Sequence, residues 1–262
     1  MAQFLRDQQL TNITVAEADL DRLNDLFLAR VAAHNHGIAA GNAAQAIPFY
    51  VIRFDNKGYR FTDFADVKRC FREARVVERV VFTIDSAQNR QSQGLNGVQF
   101  ELRLDAKDVK NCLLVVTADF KDWVDATFSG FSEILSGQKS MSRFVRTQWT
   151  GLLVQILGVA VGFLLSLWAA LRIAPKLALE QAFAVTLFFA FLIFSNVWGY
   201  INTQIWRLID FAYPNVRFQR DDKDFWYRAI QTVVGAALLG LAAIIFDRLL
   251  SWGGSVLGSL IK

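Results

Sequence analysis

The sequence predicts an α+β domain followed by an all-α membrane region, and three observations carry that reading. Most of the charge lies early, with 19 of the 28 Lys and Arg and 18 of the 24 Asp and Glu in residues 1–150. Helix-type and strand-type periodicities alternate within that half. The second half holds charge-free apolar stretches of about 20 residues, the length at which a helix crosses a bilayer. At 53% hydrophobic and 20% charged over 262 residues, with mean hydropathy +0.28, the composition excludes a disordered, collagen-like or disulfide-rich secreted chain.

Thr14 and Glu17 are spaced as a capping box and open a helix with the apolar stripe Leu20, Leu23, Phe27 and Val31. Gly37 is placed to stop it, and a small-residue linker (IAAGNAAQA) completes this N-terminal segment, 1–46. The α+β domain proper is expected over 47–138. Within it, FYVIRFDNKGYRF reads as two strands around Asn56-Lys57-Gly58. Residues 63–75 form an amphipathic helix with Phe64, Val67 and Phe71 on one face. Three strands follow: Val80, Phe82 and Ile84 alternate, Val98, Phe100, Leu102 and Leu104 alternate strictly with polar residues, and CLLVVTA from Cys112 is continuously apolar. A helix from about Phe120 turns Trp123, Phe128, Phe131 and Ile134 inward. The order α-ββαβββα implies an antiparallel sheet with helices on one face. The dozen residues SAQNRQSQGLNG, 86–97, read as a flexible polar loop.

A basic stalk, 139–148, leads to the membrane region, 149–262. Three spanning helices are expected, at about 149–171, 179–200 and 229–246. The apolar run Leu249–Ile261 is too short to span and reads as an interfacial tail. A tight connection makes the first two spans a hairpin. Lys139, Arg143, Arg146, Arg207, Arg217, Arg220, Lys223 and Arg228 flank the spans on one side, against Arg172, Lys176, Arg248 and Lys262 on the other. The side richer in cations faces the cytoplasm, which puts the N-terminal domain there, at a plasma or bacterial inner membrane. Trp149, Trp206 and Trp226 join Arg143, Arg146, Arg207, Arg217, Arg220 and Arg228 as membrane-interface candidates.

Within the spans, Gly158 and Gly162 form a GxxxG pair, and Ala236 and Gly240 a second small-residue pair. With the polar Gln155 and Asn196 they are candidates for helix packing or for a pore lining. No ionisable residue lies deep in a predicted span, which argues against a proton-coupled transporter.

Catalytic chemistry is not legible. His34-Asn35-His36 has no further ligands at metal-site spacing and reads as a solvated helix end. Ser136-Gly-Gln-Lys139 matches SxxK without the companion motifs, and neither a Walker A sequence nor GxGxxG occurs. Asp221, Asp222 and Asp224 read as a solvated loop. Cys70 and Cys112 lack ligand spacing and read as core hydrophobes in a reducing compartment. The N-terminus has no apolar run of the secretory-signal type. The net charge of +4 lies mainly beside the spans, so nucleic acid is not an expected partner. No catalytic, metal or cofactor residue is assigned.

The expected function is a non-enzymatic sensor–effector. Its cytosolic module binds a small-molecule ligand or a cytosolic protein and assembles a homo-oligomer, and the spans respond as a pore or a membrane-perturbing bundle. In layout this is similar to membrane effectors of bacterial stress and antiviral defence. The alternatives are a membrane-anchored scaffold that recruits a cytosolic partner, and a lipid-directed enzyme using residues 207–228.

Overall fold

The computed structural model describes residues 3–138 and 145–219, together with positions 229, 232, 233, 235, 236, 240, 247 and 251. Most of the predicted third span and of the tail lies outside the described residues.

The N-terminal part is an α+β domain on an antiparallel sheet. Its six strands are β1 (Phe4–Gln9), β3 (Ala46–Phe54), β4 (Lys57–Phe61), β5 (Val77–Ser86), β6 (Gln99–Asp105) and β7 (Leu113–Ala118), in the order β1-β7-β6-β5-β3-β4. Helices α1 (Glu17–Asn35), α2 (Phe64–Glu73) and α4 (Lys121–Gly137) cover one face. Strand β6 is amphipathic by strict alternation: Phe100, Leu102 and Leu104 are fully buried, while Gln99, Glu101 and Arg103 lie half-buried on the other face. Phe27 of α1 sits at the centre of the core, with ring centroids of Tyr50, Phe82 and Phe100 at 5.3, 5.6 and 5.6 Å. Tyr50 is buried with its hydroxyl donating to Asn24 Oδ1 at 2.7 Å. Burial, with the charge of Asp63 adding, pushes that phenol up to about 12.

Two strands precede α1, which corrects the predicted element order. β1 forms one edge of the sheet, antiparallel to β7 with Phe4 opposite Ala118. All six of its residues are exposed, so FLRDQQ shows no alternation to read. β2 (Ile13–Ala16) includes Thr14, and the predicted capping box falls elsewhere: the Ala16 N–H donates to Asp19 Oδ2 at 2.9 Å. The helix ends at Asn35, and Gly37 follows at φ +80°, a backbone region that favours glycine. The polar loop is pinned rather than loose. It opens with a short helix α3 (Ala87–Gln91), Ser86 Oγ accepts from Asn89 N and Val98 N at 3.1 and 3.2 Å, and Gly97 N donates to Asp119 at 3.0 Å.

Two helices follow that are long and apolar enough to cross a membrane, α5 (Gln148–Ile173) and α6 (Ala182–Ala212). Only 11% and 6% of their most apolar windows are buried, unlike core helices of a soluble domain. A 3-10 turn, Ala174–Lys176, and Gln181 at φ 63° make the tight connection between them. α6 continues twelve residues beyond the predicted span end at Tyr200, so 201–212 is helix. A last strand, β8 (Val216–Gln219), follows at once.

Candidate functional site

The hairpin of α5 and α6 is held by small residues. Trp198 lies where a Cβ on Gly158 would stand, at 1.8 Å, so only glycine admits that indole. Trp206 comes within 3.4 Å of the Cβ position of Gly151, and Phe194 within 3.8 Å of that of Gly162. Ser166 and Ala170, both fully buried, continue the stripe. Gly158 and Gly162 thus pack within the chain, where close approach lets dispersion contacts hold helices together. Gln155 and Asn196 are exposed. Asn196 Nδ2 donates to the Leu192 carbonyl of its own helix at 2.9 Å. Ala236 and Gly240 are exposed helical positions.

Where α6 ends, the chain returns to the α+β domain. β8 pairs in parallel with β2, Ile13 opposite Val216 and Ala16 opposite Gln219. Asn215, 2% exposed, ties this junction together. Its carbonyl accepts from Ile13 N at 2.8 Å, its Oδ1 accepts from Asn12 N at 2.9 Å, and its Nδ2 donates to the Leu10 carbonyl at 3.2 Å. Leu10 N in turn donates to the Cys112 carbonyl at 2.9 Å, which joins the junction to the start of β7. The Cys112 thiol donates to the Asp105 carbonyl at 2.9 Å, and burial pushes its pKa up. Ile209, Ala212 and Val216 are buried, and Phe218 meets Phe71 of α2 edge-on at 6.1 Å. The incoming helix is tied to the same place. Thr14 N donates to the Gln138 carbonyl at 2.9 Å, and Gln138 Nε2 to Asp19 Oδ1 at 2.7 Å. Arg146, just before α5, forms an ion pair with Asp210 near the end of α6.

Beside the junction, two buried carboxylates are held by cations. Glu78, 5% exposed, accepts from Lys107 Nζ and Arg53 Nε, both at 2.8 Å, and from Asn56 N at 3.2 Å. The Lys107 hydrogen bond leads in holding its carboxyl below the usual range. Burial of Asp105 opposes its charge, but donors from Asp108 N, Arg79 Nε and Lys107 N outweigh it and keep that carboxyl low as well. An open recess of about 480 Å³ beside them is lined by Asp55, Asn56, Arg75, Val76, Glu78 and Lys107.

The predicted interface residues separate. Arg146 is paired, Trp206 packs on Gly151, Arg217 lies in β8, and Trp149 (75% exposed) and Arg207 face outward. Arg143, Arg220, Trp226 and Arg228 lie outside the described residues. His34 has a packing role, its Nε2 3.1 Å from the Ala44 carbonyl and its ring edge-on to Trp123 at 5.6 Å. Sequence reasoning missed Asn12 and Asn215. The available signal was Pro214-Asn215 directly after a long helix, followed by VRFQ, too short to read as a strand by alternation. Set against protein-family models, curated proteins and solved structures, the chain has no match.

Proposed function

We propose that the protein is an integral membrane sensor–effector without catalytic activity, whose α+β domain lies in the cytoplasm of a plasma or bacterial inner membrane. A third span over 229–246 completes the bundle, and the residues after it form an interfacial tail. A small-molecule ligand or cytosolic protein biases the domain, the chain forms a homo-oligomer, and the helices act as a pore or perturb the bilayer.

One observation carries this reading: β8, three residues past α6, is hydrogen-bonded to β2, the strand that leads into α1. A shift of α1 is therefore delivered to the end of a spanning helix through paired backbone rather than through a slack linker. The exposed Gln155 supports the oligomeric part, because an amide left exposed in an apolar spanning-length helix is stabilised by a partner on a neighbouring helix.

The test compares the full chain with Asn215→Ala in lipid nanodiscs, by native mass, and in liposomes, by dye release. The wild type is expected to form a closed ring and release dye, and the variant to change release while keeping its mass. A monomer that releases nothing would overturn the reading. A membrane-anchored scaffold is the second reading, and the uncovered edge strand β1, exposed along its whole length, favours it. Gln155→Leu leaves a scaffold working and silences an effector.

A further inference from the structure

The six-stranded sheet has two uncovered edges, β1 and β4, and they suit each other. Every residue of β1 is exposed, as are Lys57, Gly58, Tyr59 and Arg60 of β4, and among the described residues neither strand has a partner on its outer side. β1 keeps an unbroken register with β7 and holds no proline, lysine or bulge, the devices that most often guard an edge against further pairing. Every pair of neighbouring strands in this sheet is antiparallel, so strand direction alternates and, with six strands, β1 and β4 run in opposite directions. A second copy set beside β4 in the same orientation therefore brings its own β1 alongside in the antiparallel sense, which continues the ladder.

That arrangement also agrees with anchoring in one bilayer. Asn215 bonds to the Leu10 carbonyl just past β1, so the spanning-length helices join the sheet at the C-terminal end of β1. Copies in the same orientation keep this end in common. Antiparallel pairing of β1 with a second β1 would turn the two helix ends in opposite directions, and centred on this strand it would set Arg6 against Arg6 or Asp7 against Asp7. The charges of the two edges fit the head-to-tail alternative. Asp7 shares a face with Val115 and Glu101, and Arg60 with Val51 and Arg103, which is the face away from the helices. Neither Asp7 nor Arg60 forms an ion pair among the described residues, whereas Arg6 is held by Asp125 at 3.0 Å. The Arg60 guanidinium lies over the Phe49 ring at 3.7 Å on that same face. Partners traced across the sheet put Gln8 of β1 level with Phe61 of β4, through Leu114, Leu102, Phe82 and Tyr50. A stagger of two residues from that level sets Arg60 directly opposite Asp7 of the next copy, and opposite charges so placed stabilise an antiparallel pair.

We propose that β4 of one copy pairs antiparallel with β1 of the next, so that the α+β domains of neighbouring chains share one continuous sheet with Arg60 facing Asp7 across each junction. The proposal rests on the homo-oligomer reading above and names its contact. Each copy gives one edge and receives the other, so the contact is heterologous and repeats from chain to chain until a ring closes. It also covers the edge that a scaffold would leave open for a cytosolic partner.

The test uses full-length Asp7→Cys chains and Arg60→Cys chains, each on a Cys70→Ser background, oxidised in liposomes separately and after reconstitution together. Cys112 is buried and is kept. Disulfide-linked dimers are expected from the mixture and from neither chain alone, and the double variant Asp7→Cys/Arg60→Cys is expected to give a ladder of multimers. By native mass in nanodiscs, Asp7→Arg is expected to weaken association about five-fold per contact, and Asp7→Arg/Arg60→Asp to restore it. A wild-type oligomer whose mixed cysteine chains do not cross-link, dimers from either cysteine chain alone, or a charge swap that restores nothing would overturn the proposal. A wild-type chain that stays monomeric would instead overturn the homo-oligomer reading on which it rests.

Discussion

Thr127 of α4 is fully buried, and among the described residues its hydroxyl has no hydrogen-bond partner. Burying such a group costs about 1–3 kcal/mol, which an isosteric apolar side chain avoids. Thr127→Val is therefore expected to raise stability by about 1 kcal/mol, read as a higher urea midpoint with an unchanged slope. A lower midpoint would contradict this assignment of the buried hydroxyl. At this scale the sequence was legible wherever a side chain's type decided its place. Leu20, Leu23 and Phe27 follow a helical stripe and are buried. Asn215 was not legible, because an asparagine after a helix looks like any turn residue until Leu10 and Asn12 are seen beside it.

Elements with a strong period were readable and those without one were not. β6 alternates strictly and the two spanning-length helices are long apolar runs, so each is plain from its residues alone. β1 and β8 exist because partners far away in the chain, β7 and β2, supply their hydrogen bonds, and no local pattern encodes that. The hairpin of α5 and α6 gives an element-scale prediction. In Gly158→Leu the new side chain would occupy the place of the Trp198 indole, an overpacking of the kind that costs about 1–3 kcal/mol. Cysteine cross-linking between α5 and α6 is expected to fall in this variant. It is expected to recover in Gly158→Leu/Trp198→Ala, where the space is vacated. A single variant that cross-links as well as wild type would show that the two helices do not meet at Gly158.

For the whole molecule, the paired carboxylates set the acid limit. Glu78, Asp105 and Glu17 all have folded-state pKa values below their ordinary ones. A depressed carboxyl adds stability above its unfolded value, near pH 4, and loses it as pH falls through the folded value. The melting temperature of the full chain in detergent is thus expected to be level from neutral pH to about pH 5 and to drop below about pH 4. Glu78→Gln should shallow that drop; an unchanged slope would remove Glu78 from the cause. The division of the chain into a charged half and an apolar half was legible from composition. The return of the chain from α6 to β2 was not, since it joins Leu10 to Asn215 across most of the described sequence.

In the proposed function the β2–β8 pair passes the state of the domain to the helices. Thr14 and Arg217 are opposite one another in that pair. The most direct measurement is dye release from liposomes by the Thr14→Cys/Arg217→Cys chain on a Cys70→Ser background, oxidised and then reduced. The cross-link is expected to form and to alter release, and reduction is expected to restore it. Release that is identical in the two states, with the cross-link verified by mass, would contradict it.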